Sequence, residues 1–169
     1  IGKVAVGRFA AADIIDADGN VAIGAHDGTV QPAMRLNTKS HDNVAIGSGA
    51  LAAHNATDNS EGGNVAVGYS AGLIVSTGKQ NTIIGAFAGD AIQTGSQNTL
   101  VGYNAGGATT ATFNAFYGRS SGSTMTTGGK NVIIGSYNGN QNSLDIRDVD
   151  NRAVISDGDG NLKIVSDNN

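Results

Sequence analysis

The sequence has no cysteine and no tryptophan, only one proline (Pro32), and charged residues make up just 14% of it. Without cysteine there is neither a disulfide framework nor a thiolate metal site, and the redox compartment stays open. The five lysines and five arginines are scattered, and the net charge is −4. That balance argues against a nucleic-acid partner, which needs clustered basic side chains. No apolar run approaches the ~18–20 residues of a membrane-spanning helix and no signal peptide is visible, so membrane insertion is not expected. The chain opens at Ile1 without an initiator methionine, and we read it as a segment of something longer.

Glycine is what the chain has in quantity, 26 residues of 169. Glycine at that level can mark disorder, but here apolar residues are 39% and recur in order. The order is Asn, three mostly apolar residues, then Gly. It appears as NVAIG at Asn20 and Asn43, NVAVG at Asn64, NTIIG at Asn81, NTLVG at Asn98, NAFYG at Asn114 and NVIIG at Asn131. A first copy, KVAVG, has Lys3 in the Asn place. The closing glycines are Gly7, Gly24, Gly47, Gly68, Gly85, Gly102, Gly118 and Gly135, spaced by 17, 23, 21, 17, 17, 16 and 17 residues. A fixed short period of this kind marks a solenoid.

The fold class is therefore all-β: a parallel β-solenoid of about eight 17-residue coils. Each unit reads as strand, turn, strand, turn, with a second short strand in runs such as LIVS (residues 73–76). Glycine supplies positive-φ corners and close backbone approach, and the repeated Asn is expected to bond turn backbone and stack into a ladder. Both strand faces are apolar. One holds Asn+1 and Asn+3; the other holds Asn+2, namely Ala5, Ala22, Ala45, Ala66, Ile83, Leu100, Phe116 and Ile133. A thin coil has one inside, so the Asn+2 row is assigned to the contact between identical chains arranged about a long axis.

The copies NVAIGSGAL, NVAVGYSAG and NTLVGYNAG resemble the head repeats of YadA-type trimeric autotransporter adhesins, and still more the longer GNTAVGYNAG version of bacteriophage tail fibres. The resemblance spans residues 3–140. It implies a homotrimer of left-handed parallel β-rolls, a stiff rod carrying adhesion to a host cell-surface glycan or protein. Localisation would be the virion tail fibre, outside the cell, or alternatively a bacterial surface. The 17-residue coil is longer than the adhesin type, and coils two and three carry insertions.

Those insertions, six residues placed in GTVQPAMRLNTKSHD and four near AAHNATDNSEGG, are where lateral contacts are expected. Arg35, His41 and His54 are candidate receptor contacts for that reason. Tyr69 and Tyr103 join them from an aromatic series (Phe9, Tyr69, Phe87, Tyr103, Tyr137) that follows the repeat glycine. The series fits either packing at the corners or a ladder of rings for sugars. After residue 141 the period stops, and three antiparallel strands (144–147, 152–156, 161–165) are expected as a cap over residues 142–169.

Catalysis finds little support. Thirteen of the fourteen acids are Asp, mostly in D-G or D-N turns, where a glycosidase needs two carboxylates facing one groove. DADGN (16–20) and DGDGN (157–161) resemble calcium-loop openings but lack the glutamate at position twelve, where Asp27 and Asn168 fall. His26, His41 and His54 lie in separate repeats without metal-ligand spacing. No enzyme activity, metal or cofactor is expected. The alternative reading is a monomeric solenoid that binds ice or polysaccharide, but its row of exposed Thr is met only by Thr82 and Thr99.

Overall fold

The computed structural model describes residues 2–14, 17–26, 28–55, 61–107 and 110–166. Among them there is no helix. Eight three-residue strands stack in parallel and in register: β1 (Val4–Val6), β2 (Val21–Ile23), β3 (Val44–Ile46), β4 (Val65–Val67), β5 (Thr82–Ile84), β6 (Thr99–Val101), β7 (Ala115–Tyr117) and β8 (Val132–Ile134). The register puts each repeat copy on the next, as in Ile83↔Leu100↔Phe116↔Ile133. The chain is a parallel β-solenoid.

Each coil holds one strand where the sequence suggested two. Residues 71–79 form no strand, because left-handed positions that recur along the coils break the backbone into successive turns, here at Ser70 (φ 54°) and Gly72 (φ 60°). In the fifth coil they are Gln80 (φ 58°), Phe87 (φ 58°) and Gly89 (φ 55°). The turns still bond from coil to coil, as in Gly72 N–H to Ala88 O at 2.8 Å and Gly89 N–H to Ala105 O at 2.9 Å. Regular stacking therefore extends around the coil and not only along the strands.

Two residue columns lock the stack. The repeat glycines have φ of 109° to 153°, and a Cβ on Gly68 would lie 2.6 Å from the carbonyl carbon and oxygen of Gly85. Only glycine meets both demands. The repeat asparagines are all buried and form a continuous ladder. The Asn81 side chain donates to Asn64 Oδ1 (3.0 Å) and to the Gly95 carbonyl (2.9 Å), while its own Oδ1 accepts from the Asn98 backbone N–H (3.0 Å) and Nδ2 (3.1 Å). Every polar atom of the amide has a partner, which makes its burial affordable.

The interior reverses one expectation. Ala22, Ala45, Ala66, Ile83, Leu100, Phe116 and Ile133 are fully buried inside their own chain, so they are not available to a second one; only Ala5, in the first coil, is exposed. Parity explains this. Asn points inward to reach the next coil, so Asn+2 points inward and Asn+1 and Asn+3 point out. Opposite the Asn+2 column lies the residue four after the repeat glycine. Small Ala22 and Ala45 share their coils with Met34 and Leu51, whereas Ile83, Leu100 and Phe116 share theirs with Gly89, Gly106 and Gly122.

Beyond β8 the chain does not form a three-stranded meander. β9 (Asn140–Gln141) and β10 (Leu144–Asp145) make a small antiparallel pair. β11 (Ala153–Ser156) adds to β8 in parallel, and only β12 (Leu162–Ser166) runs antiparallel, on β11. The reason is that Arg152 stands in the Asn place: its N–H donates to Asn131 Oδ1 at 2.8 Å, and Val154 fills the Asn+2 column. The parallel stack thus continues beyond residue 141.

Candidate interaction surface

The outward strand face is the largest apolar feature. Val6, Ile23, Ile46, Ile84, Tyr117, Ile134 and Ile155 occupy Asn+3 or its equivalent in the stacked strands and are all exposed, Ile84 by 40%. Beside them run half-buried Val21, Val44, Val65, Thr82, Thr99 and Ala115 at Asn+1. Strands ~4.8 Å apart make this one continuous strip along the molecule, with no charge on the Asn+1 and Asn+3 positions of β1 to β8. A strip of that kind marks an interaction site in a water-soluble chain.

An aromatic ladder lies just past the strands. Tyr69 and Phe87 meet edge to face with centroids 5.3 Å apart, and Phe87 meets Tyr103 at 5.9 Å. Tyr103 is 52% exposed. The alternation of Gly+1 and Gly+2 placement lets rings from successive coils interlock, so corner packing and an open ring surface coexist. Tyr137 is not part of it: it is buried, and its hydroxyl donates to the Leu144 carbonyl at 2.7 Å. Burial pushes its phenol up to about 12.

The first insertion sits earlier than the sequence placed it. Ala33 N–H bonds Gly24 O as Ala50 N–H bonds Gly47 O, so the six extra residues fall within 25–32, and Met34, Arg35 and His41 follow the regular register. Arg35 is exposed and donates to Gln31 Oε1 at 2.6 Å. His41 is half-buried, its Nδ1 accepting from Asp18 N–H at 2.9 Å. The second insertion lies between His54 and Asn64, and its residues 56–60 are outside the described residues.

His54 is no surface contact. It is fully buried in the interior column otherwise filled by Val75, Ile92 and Met125. Its Nε2 lies 2.9 Å from Ser40 Oγ and 3.4 Å from Asn64 Nδ2. Burial lowers its pKa to about 4, so the ring is neutral at pH 7. With Asn37 and Ser40, also buried, it forms a polar knot where the coils are irregular. Part of the signal was in the sequence: seven residues after the repeat glycine, where His54 stands, later coils have Val75, Ile92 and Met125, although Thr109 also falls there.

The acidic turns are satisfied locally. Asp157 Oδ1 accepts from the N–H groups of Asp159 (3.0 Å) and Asn161 (2.9 Å), and Oδ2 pairs with Lys163 at 3.0 Å. Lys163, then the Asn161 bonds, hold this carboxyl well below the usual range. Asp145 takes the Arg147 fork at 3.0 and 2.8 Å. Asp16, Asp27 and Asn168 of the calcium-like motifs lie outside the described residues. Among the described residues no three His, Asp or Glu side chains group in a way that could hold a metal ion.

Column spacing, a locked interior and an apolar outer strip define a parallel β-solenoid with one exposed apolar long face. No protein-family model matches the chain, and neither curated proteins nor solved structures give a significant match.

Proposed function

We propose that this chain is a non-catalytic, rod-forming segment of a homotrimeric fibre, with the outward Asn+1/Asn+3 strip of each copy buried against the other two. The fibre is a phage tail fibre in this reading, with left-handed coils, and the rod presents a host-receptor surface outside the cell. The carrying observation is the strip itself: an uncharged column that runs from Val6 to Ile155, its hydroxyls being those of Tyr117 and, in the row beside it, Thr82 and Thr99. Closed cyclic symmetry about the rod axis covers all the strips at once, and three copies give a receptor surface avidity without a strong single site. The β11–β12 hairpin serves as the end cap, its antiparallel strand ending the parallel stack. A bacterial adhesin head is the same machine on another carrier. An ice-binding face is disfavoured because Val and Ile, rather than Thr, fill most of the strip.

The chain has no cysteine, so a single introduced thiol reports cleanly. Ile84→Cys should be joined into a three-chain product by a three-armed maleimide, while Gln93→Cys, on the exposed turn away from the strand, should stay single. Single chains in both cases, or equal joining in both, would overturn the strip as the interface.

A further inference from the structure

The six-residue insertion after Gly24 does more than lengthen a turn. With the first coil it borders an open cavity of ≈ 510 Å³, lined by Phe9, Asp13, His26, Gln31, Pro32 and Arg35 among others. That volume suits a ligand of one or two rings. Pro32 is buried and gives the wall a fixed backbone. The insertion therefore builds a site on a scaffold that elsewhere is regular.

The polar groups around it are already oriented. Gly28 N–H donates to His26 Nδ1 at 2.8 Å, which leaves Nε2–H as the ring's free donor. Gln31 Oε1 accepts from Arg35 Nη1 at 2.6 Å, which leaves the rest of the guanidinium and the Gln31 amide nitrogen as donors. Among the described lining residues Asp13 supplies the carboxylate acceptor. Phe9 is 55% exposed, and the Arg8 guanidinium lies 4.9 Å from its ring centroid. An aromatic ring beside convergent donors and one acceptor matches a sugar ring, apolar on one side and hydroxylated at its rim. Among the described residues side-chain donors outnumber carboxylates and two guanidiniums are near, so the complementary sugar carries a negative charge. Arginine's planar fork fits a carboxylate.

We propose that this cavity binds a carboxylate-bearing hexose unit of a surface polysaccharide, with Arg35 pairing the carboxylate, Asp13 accepting from hydroxyls and Phe9 stacking the ring. It deepens the receptor-presenting reading and rests on it only for the polysaccharide as the source of the sugar.

The test is saturation-transfer NMR on the whole chain with two probes, a glucuronic-acid-terminated disaccharide and the matching glucose disaccharide. The acidic probe should receive transfer and the neutral one should not. Arg35→Gln should weaken binding about tenfold or more, the scale of one lost charge-assisted pair. Phe9→Asn should abolish transfer to the ring protons, and Asn tolerates the left-handed backbone found there (φ 62°). Both side chains are exposed, so the melting temperature of each variant should match the wild type. Absence of transfer from the acidic probe, equal transfer to both probes, or unchanged binding by Arg35→Gln would each overturn the site. Mass measured on the same samples separates the two readings. A trimer that binds nothing removes the sugar site alone, whereas a monomer that binds the acidic probe supports the site and removes the fibre.

Discussion

The ring of Phe116 occupies the space that a side chain at Gly122 would need: a Cβ there would lie 2.5 Å from Phe116 Cδ2 and Cε2. The same trade runs along the solenoid in both directions, since Ala45 faces the Leu51 column where Phe116 faces Gly122. Where both positions are small, as at Ala66 and Gly72, the neighbouring coils fill the space: Leu51 and Ile83 each lie 3.1 Å from where a Cβ on Gly72 would sit.

The trade predicts a compensating pair. Phe116→Ala should cost about 3–5 kcal/mol, the usual price of emptying a buried aromatic site. Gly122→Leu should also destabilise, by overpacking. The double variant should be more stable than the sum of the two losses predicts, by at least about 1 kcal/mol, because it copies the Ala45/Leu51 arrangement and Leu51 adopts φ 48°. Chemical denaturation of all four proteins measures the coupling; strict additivity would mean that the columns do not share space.

The ladder predicts a steep cost for one amide. Asn81→Ala removes four hydrogen bonds and leaves the buried Asn98 N–H without its acceptor. A loss of about 3 kcal/mol or more is expected. Gln93→Ala, at an exposed turn position, should change stability by less than about 0.5 kcal/mol. Similar midpoints for the two variants in guanidinium would contradict the ladder.

Glycines are not equal. Gly85 has φ 133°, and an added Cβ would lie 2.6 Å from the Gly102 carbonyl carbon, so Gly85→Ala must push two coils apart. Several kcal/mol are expected from strain and clash together. Gly158 has open space and no left-handed backbone, so Gly158→Ala should be neutral within about 0.5 kcal/mol. Thermal unfolding of the pair reads the difference directly.

Acid should loosen the molecule through His54. Its folded pKa is about 4 against an ordinary 6.5, so the unfolded chain takes up the proton first as pH falls. The contribution is complete above pH 6.5 and is lost as pH drops towards 4, by up to about 3 kcal/mol. His54→Val, which places the residue of the Val75 position there, should flatten this part of the pH profile. Ser40 Oγ would still accept from Asn43 Nδ2 at 3.1 Å. Parallel stability curves for variant and wild type between those pH values would rule the histidine out as the cause.

The solenoid was legible because its rules are local and repeated: the Asn-to-Gly spacing alone sets the rungs, and the Asn ladder follows from it. The inside is harder to read, because Ala22, Ala45 and Ala66 look like a surface made for close approach. Their partners across the coil, Met34, Leu51 and Gly72, are distant in no simple periodic sense until the insertion at 25–32 is placed. Parity with the buried Asn was the signal that could have settled it. The second strand of the coil failed for another reason: left-handed residues such as Gln80 and Phe87 are not glycines, so nothing in their type announces the turn. Arg152 hid the extra rung in the same way, since its backbone N–H meets the Asn131 acceptor that an asparagine meets in the other copies.

The central claim is that the outward strip holds three copies together. Light scattering of the wild-type chain and of Ile84→Lys tests it most directly. The wild type should weigh 50.7 kDa, three chains of 16.9 kDa, and its mass should shift towards 16.9 kDa when a charge enters the strip. A wild-type mass of 16.9 kDa, or a trimer indifferent to Ile84→Lys, would contradict it.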